Sequence, residues 1–245
     1  MNVDLNSMHS PSRMFEKEYS NDLENYFYKN QKRLIHKWIH YFDVYDQHFS
    51  KFRNKKINVL EIGVDSGGSL QMWKDYFGDQ AKIYGIDINP QSRFDEDRIK
   101  VFIGSQSDRT FLENALGEIG LLDLVIDDGC HRCPEQIVSF EYLFPSLQDD
   151  GVYLCEDTHS CYLPRYGGDK FGLNTFVQYC KKMVDSMHHE FNSEIKANDL
   201  TKKVGSVCFY NSMVVVTKKP KNQSKSYWTT TGKQKKPNAA PVKMM

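Results

Sequence analysis

The sequence lacks a hydrophobic run long enough to cross a membrane. A transmembrane helix needs about 20 consecutive apolar residues, and no window of this chain approaches that length. The first 18 residues also lack the apolar core of a secretory leader peptide. We therefore expect no membrane span and a cytoplasmic location.

Disulfide-scaffold spacing and an excess of one charge are also missing. The six cysteines of this 245-residue chain are too scattered for a disulfide framework, so reduced thiols are expected. The 32 Lys and Arg residues balance the 32 Asp and Glu residues, which argues against nucleic acid as the main partner.

Eight lysines lie between Lys218 and Met245, where no acid occurs. Residues 220–245 therefore predict a basic, disordered tail that aids solubility or tethers the chain weakly to an anionic surface.

Apolar runs and helical patterns alternate along most of the chain. Residues 14–52 contain no Pro or Gly and repeat apolar residues every three or four positions, which predicts one long helix. Further helices are predicted at 67–77, 108–116, 134–147 and 173–190, and strands at 57–63, 81–88, 99–104, 121–128, 151–157 and, as a hairpin, 206–219. Nearly continuous apolar strands separated by helices predict an α/β fold. Its mostly parallel sheet is expected to carry helices on both faces and a closing antiparallel hairpin.

The ends of the first two predicted strands carry a nucleotide-type pattern. The stretch LEIGVDSGGSL places Glu61 before three glycines, the first being Gly63, and Asp87 ends the second strand. Glycines let the backbone turn tightly and approach a ligand, and a carboxylate at Asp87 can accept hydrogen bonds from both hydroxyls of a ribose. The dinucleotide fingerprint is missing because Asp65 replaces its second glycine. No Walker lysine follows either, which excludes a P-loop.

The ends of the fourth and fifth strands carry carboxylates and a histidine. LDLVIDDGCH contains Asp127, Asp128 and His131, and the fifth strand runs into Glu156 and Asp157. Successive side chains of a strand face opposite sides, so at most one of Asp127 and Asp128 is expected to face the cleft. Three converging carboxylates repel one another, and a bound Mg²⁺, Mn²⁺ or Ca²⁺ relieves that repulsion. His131 lies close enough to act as a base on a hydroxyl.

These motifs resemble a known family. The glycine-rich turn and Asp87 resemble motif I and the ribose-binding acid of the class I S-adenosylmethionine (SAM) methyltransferases. Between about Lys37 and Tyr166, a more specific resemblance to the macrocin and mycinamicin sugar O-methyltransferases is carried by KWIHYFDVYDQHF, VLEIGVDSGGSLQMWKDYFG, IYGIDINP, LDLVIDDGCH and FEYLFPSLQDDGVYLCEDTHSCY. The resemblance implies a Rossmann-like, seven-stranded methyltransferase domain over 53–219, preceded by a helical lid segment over 1–52 and followed by the tail. It also implies SAM and Mg²⁺, or another divalent cation such as Mn²⁺, as cofactors for methyl transfer to a sugar hydroxyl.

The same resemblance implies roles for individual residues. The metal ligands fall on Asp128, Glu156 and Asp157, and the catalytic base on His131. The residues expected to bind SAM are Glu61, Gly63, Ser69, Asp87, Ser105, Gln106 and Asp127. The cation is expected to orient a vicinal diol of the acceptor.

Other interpretations stay open. The acceptor is either a glycan or a small molecule such as a catechol or another natural-product diol. A SAM-binding partner subunit without turnover is the non-enzyme alternative, and a homo-oligomer is compatible with either. His159, Tyr162 and Tyr166 either shape the acceptor pocket or pack within their loop. The CHRC stretch at 130–133 lacks the second cysteine pair that a zinc site needs.

Overall fold

A seven-stranded sheet organises the fold, as predicted. Its strands are β1 (Asn58–Ile62), β2 (Lys82–Asp87), β3 (Ile99–Ile103), β4 (Leu122–Asp127), β5 (Leu147–Cys155), β6 (Val204–Tyr210) and β7 (Met213–Lys218). In the computed structural model, which describes residues 19–219, 228–230 and 233–235, the strand order is β3-β2-β1-β4-β5-β7-β6. Strands β1 to β5 run parallel, and β7 pairs antiparallel with both β5 and β6. The carboxyl ends of five strands therefore meet at one edge, where ligands bind in open α/β sheets.

Four helices after the first strand confirm the predicted alternation. They are α3 (Gly68–Phe77), α4 (Arg109–Ile119), α5 (Cys133–Leu143) and α6 (Phe176–Ser186). The aliphatic side chains of the central strands alternate between two buried clusters, one on each face of the sheet. Helices α4 to α6 cover one face, so the sheet is the middle layer of an α/β/α sandwich.

The long helix predicted over 14–52 is wrong in its middle. Two helices form instead, α1 (Asp22–Lys29) and α2 (Tyr41–Phe49), and residues 30–40 between them are not helical. We call residues 30–40 the strap. The side chain of Asn30 accepts a hydrogen bond from the Lys32 amide and donates one to the Arg33 carbonyl, which ends α1 with a turn. Residues 14–18 of that prediction lie outside the described part of the chain.

Helices α1 and α2 pack on the second face of the sheet beside α3. Leu23, Phe42 and Phe49 are fully buried there, and the Trp73 ring of α3 meets the rings of Tyr45 and Phe49 edge-on. Edge-to-face aromatic contacts add stabilisation to the burial of their surface. The N-terminal helices are therefore part of the same core as the sheet.

The basic tail lies mostly outside the described residues. Of residues 220–245, the structure describes two short strands, β8 (Trp228–Thr230) and β9 (Lys233–Lys235), which pair antiparallel. The predicted disorder of the remaining tail stays a prediction. Within the described residues, no helix is both long enough and apolar enough to span a bilayer.

We expect Trp73→Ala to destabilise the fold strongly. Trp73 is completely buried between α2 and α3, and removing a buried Trp costs about 3–5 kcal/mol of unfolding free energy. Urea unfolding followed by circular dichroism measures this loss. Trp38→Ala is the matched control, because the Trp38 side chain is 53% exposed and its loss is expected to change the free energy by no more than about 0.5 kcal/mol. Equal effects of the two changes would contradict the packing described.

Candidate active site

A cavity of about 600 Å³ opens at the carboxyl ends of the parallel strands. The strap covers it from above with residues 34–38. Nine of the eleven predicted site residues line it: Gly63, Ser69, Asp87, Ser105, Gln106, Asp128, His131, Glu156 and Asp157. Glu61 and Asp127, the other two, are fully buried and lie behind the wall. The structure thus brings the whole predicted set to one place and divides it into two layers.

The glycine-rich turn after β1 is held against its neighbours. The Gly63 amide donates to the Ile86 carbonyl over 2.8 Å, and the backbone φ of Gly63 is +89°. A Cβ at this position would lie 2.0 Å from the Asp128 carbonyl oxygen. Both the left-handed conformation and the close approach therefore require glycine here.

Asp87 ties the same turn to the end of β2. Its Oδ2 accepts hydrogen bonds from the amides of Val64 and Asp65 over 2.9 and 3.0 Å, and its Oδ1 accepts one from Asn89 over 2.8 Å. Each carboxylate oxygen keeps further acceptor capacity for a ligand hydroxyl. Asp87 therefore both shapes the turn and faces the cavity.

A buried polar network supports the floor of the cavity. Asp127 accepts hydrogen bonds from Tyr153 over 2.7 Å, from Ser139 over 2.9 Å and from Gln106 over 3.1 Å. Burial raises the pKa of Asp127, and these donors oppose the rise. Gln106 also accepts from the Cys130 amide over 2.9 Å, which fixes the turn that follows β4. Asp127 is a supporting residue, and Asp128 alone of the pair faces the cavity, as the strand alternation predicts.

Three acidic side chains converge where β1, β4 and β5 end side by side. Single oxygens of Glu61, Asp128 and Glu156 lie within 4.8 Å of one another, and so do ligand atoms of Asp128, His131 and Asp157. We call the first set the inner cluster and the second the outer cluster. Asp128 belongs to both clusters, whereas Glu156 and Asp157 do not share one. The predicted metal triad is therefore divided between two adjacent clusters.

A lysine fills the inner cluster. Lys37 Nζ lies 2.5 Å from Asp128 Oδ2, 2.9 Å from Glu156 Oε1 and 3.3 Å from Glu61 Oε1. Burial alone would lower the pKa of Lys37, but the charges of the three carboxylates outweigh it and hold that pKa well above its usual range. Burial and the charge of Asp128 raise the pKa of Glu156. The lysine is thus a fixed positive charge among the acids.

The outer cluster rests on strained backbone. His131 and Asp157 have φ values of +56° and +51°, which are unusual for residues with a side chain and are common at functional sites. His131 Nε2 lies 3.6 Å from Asp157 Oδ2. Tyr41 donates a hydrogen bond of 2.6 Å to the other oxygen of Asp157. With this left-handed backbone, the imidazole of His131 and the carboxylate of Asp157 face each other.

The donor set fits a hard divalent cation. Carboxylate oxygens are the ligands that Mg²⁺ and Mn²⁺ prefer, and they come here from two neighbouring strand ends. His131 Nδ1 is buried without a hydrogen-bond partner among the described residues, which is costly unless a further group completes the site. No described cysteine belongs to either cluster.

Two residues of the site were not predicted from the sequence. Lys37 and Tyr41 lie in the stretch KWIHYFDVYDQHF, which carried part of the family resemblance. A lysine within a polar segment gives no sign of burial, and its position depends on the strap leaving the helical path. His40, by contrast, contacts the Asn211 carbonyl at 3.1 Å outside the clusters.

The loop after β5 contributes aromatic side chains to the approach. The Tyr166 ring lies 6.4 Å from the His131 ring, nearly perpendicular to it. His159 pairs with Ser212 over 2.6 Å, and Tyr162 is largely exposed. Of these three residues, Tyr166 is the one whose ring lies beside that of His131, and none of the three lines the cavity.

Sequence comparison finds sugar O-methyltransferases. The chain is 38% identical over 196 residues to an 8-demethyl-8-alpha-L-rhamnosyl tetracenomycin-C 2'-O-methyltransferase of Streptomyces olivaceus, covering 75% of this chain and 52% of that protein. It is 39% identical over 171 residues to the demethylmacrocin O-methyltransferase of Streptomyces fradiae, covering 64% and 43%. For the mycinamicin VI 2''-O-methyltransferase of Micromonospora griseorubida the identity is 38% over 164 residues, covering 62% and 41%. The chain thus spans about half the length of these relatives. No family model matches it.

Structural comparison agrees. The MycE methyltransferase of the mycinamycin biosynthetic pathway, solved in complex with Mg, SAH (S-adenosylhomocysteine) and mycinamycin VI, superposes with a TM-score of 0.73 at 30% identity, covering 85% of this chain and 55% of MycE. A second MycE structure, with Mg and SAH, gives a TM-score of 0.71. The fold is therefore that of a class I methyltransferase, and the resemblance of this chain to the macrocin- and mycinamicin-type sugar O-methyltransferases is confirmed over the half of those proteins that it spans.

Proposed function

We propose that this chain is a SAM-dependent O-methyltransferase that acts on a sugar hydroxyl with the help of a divalent cation. The observation that carries the proposal is the junction of a nucleoside-type cavity with a cluster of carboxylates and an imidazole. The relatives support it, because each is named as an O-methyltransferase, and the first is named for a rhamnosyl compound.

The cofactor half of the cavity suits a nucleoside. Asp87 faces the cavity with spare acceptor capacity for the ribose hydroxyls, and Ser105 and Gln106 follow β3 where the family resemblance puts the adenine. Gly63 lets the backbone approach the ligand. Glu61 acts through Ser69, whose hydroxyl it holds over 2.6 Å, and Asp127 acts through Gln106.

The acceptor half carries the proton chemistry. We assign cation binding to Asp128, Glu156 and Asp157, and a cation held there would lower the pKa of an acceptor hydroxyl. His131 is assigned as the general base that takes the hydroxyl proton. Asp157 beside it stabilises the positive charge that the ring then gains. Methyl transfer needs the acceptor oxygen, the methyl carbon and the sulfur in line, which makes alignment the main task of the site.

An aromatic diol is the second candidate acceptor. Trp38 of the strap lines the cavity, and Tyr166 stands beside His131, so the approach to the base has aromatic walls. Such walls stack on a catechol, although they also stack on the apolar face of a sugar ring. The relatives favour the sugar.

We expect SAH to bind the isolated protein both with excess Mg²⁺ and with EDTA. The cofactor cavity does not depend on a cation for its walls, so the two dissociation constants should agree within about threefold, which is less than 1 kcal/mol. Isothermal titration calorimetry measures both, with ATP as a ligand control that should not bind. An absence of SAH binding in both buffers would contradict the proposed cofactor.

We expect Gly63→Ala to weaken SAH binding at least tenfold, about 1.4 kcal/mol. The added Cβ meets the Asp128 carbonyl at 2.0 Å, so the turn and the end of β4 must separate. Gly117→Ala is the matched control, because a Cβ at Gly117 meets nothing within 4 Å. Unchanged affinity in Gly63→Ala would show that the turn does not touch the cofactor.

We expect Asp128→Ala and His131→Ala to separate the roles of cation and base. His131→Ala should lower methyl transfer by about 10²–10⁴-fold, the range for loss of a general base, and Asp128→Ala should abolish the cation-stimulated transfer. Both should leave SAH affinity within about threefold. Only Asp128→Ala should also abolish Mn²⁺ binding. A radiolabelled-methyl assay on glycosylated acceptors and Mn²⁺ titration provide the two readouts. The exposed Asp79→Ala serves as control, and substantial activity in Asp128→Ala would refute the cation assignment.

A further inference from the structure

The strap enters the metal site through one side chain. Lys37 is 2% exposed at its side chain, and its ammonium makes four contacts of 3.3 Å or less with three carboxylates. Both oxygens of Glu156 accept from it, over 2.9 and 3.0 Å. Lys37 therefore holds Glu156, which is one of the three carboxylates, with Asp128 and Asp157, that we propose as ligands of the cation.

The other end of the strap is fastened to the glycine-rich turn. Arg33 donates from Nη1 to the Ser66 carbonyl over 3.1 Å, and its guanidinium lies 4.0 Å from the centre of the Phe94 ring. A Cβ on Gly68 would lie 2.3 Å from the Leu34 carbonyl oxygen, so strap and helix α3 are in close contact. The strap thus reaches from the cofactor turn at Arg33 to the metal carboxylates at Lys37.

The charges of the inner cluster define what Lys37 does. Glu61 and Glu156 are buried and Asp128 is partly buried, and three such carboxylates cannot all stay ionised close together without a compensating cation. Lys37 supplies one positive charge in the absence of a metal, and a divalent cation beside Asp128 would meet that charge at short range. Two cations a few ångströms apart in a buried site repel each other strongly.

We propose that Lys37 is a tethered cation that competes with the divalent cation for Asp128 and Glu156. The inference rests on the proposed function in so far as that function places a cation at these residues. Lys37 keeps the carboxylates assembled when no metal is bound, and it weakens metal binding because the metal must draw Glu156 away from it. It is a positioning residue, since it acts on the ligands and not on the acceptor. The site is thereby kept folded and open to exchange of the metal.

Lys37→Gln tests the competition, with Mn²⁺ alone as the probe. We expect the Mn²⁺ dissociation constant, measured by the electron paramagnetic resonance of free Mn²⁺, to fall at least tenfold. In EDTA, the variant should melt several degrees below the unaltered protein. Added Mn²⁺ should then raise the melting temperature of the variant by more degrees than it raises that of the unaltered protein. Lys51→Gln is the matched control, because Lys51 pairs with Asp150 on the surface.

A charge-balanced pair of variants covers the case in which Lys37→Gln does not fold. K37Q/E61Q removes one lysine and one carboxylate together, and it is compared with Glu61→Gln alone. We expect the double variant to bind Mn²⁺ more tightly than the single one. This comparison measures the competition through the Mn²⁺ dissociation constants, so it does not depend on catalytic activity.

The outcomes separate this inference from the proposed function. Tighter Mn²⁺ binding without Lys37 supports the competition. Equal or weaker binding, while the unaltered protein binds Mn²⁺, overturns the role of Lys37 and leaves the proposed cation in place. If neither the unaltered protein nor the variants bind Mn²⁺, both the competition and the cation-dependent function are refuted.

Discussion

The site depends on how buried negative charge is compensated. Strands β1, β4 and β5 are neighbours in the sheet, and each delivers a carboxylate to the same edge. The burial that makes this edge a cavity also removes the water that would otherwise screen these charges. This edge of the sheet therefore needs a compensating positive charge, and Lys37 supplies one from a segment outside the sheet.

This constraint explains why the N-terminal segment is more than a cover. Tyr41 and Lys37, four residues apart, bond to Asp157 and to the inner cluster respectively. The first turn of α2 is thus placed by acids of the inner and outer clusters. Burial of Tyr41 and Phe42 in the core then holds the other side of this turn. The strap and the sheet stabilise each other through the site.

Much of the architecture could be predicted from local sequence, because continuous apolar strands such as LDLVID leave few alternatives to a parallel sheet. The convergence of carboxylates could be predicted for the same reason, because the strand order alone brings the ends of β1, β4 and β5 to one edge of the sheet. The break at residues 30–40 could not. Its sequence lacks Pro and Gly, and the acids that hold Lys37 outside a helix lie far from it in the chain, where local sequence does not reveal them. The division of the predicted metal triad into two clusters could not be predicted either, because Lys37 contacts Asp128 and Glu156 whereas Tyr41 holds Asp157.

The hydrogen bonds of Asp87 also bear on which nucleotides the cavity admits. In phosphate-binding turns, the amides after the first strand point at an anionic ligand. Here the amides of Val64 and Asp65 are already satisfied by the Asp87 carboxylate. A diphosphate would find those donors taken and a negative charge in its path. The turn therefore offers these two amides to a phosphate only if the Asp87 carboxylate releases them.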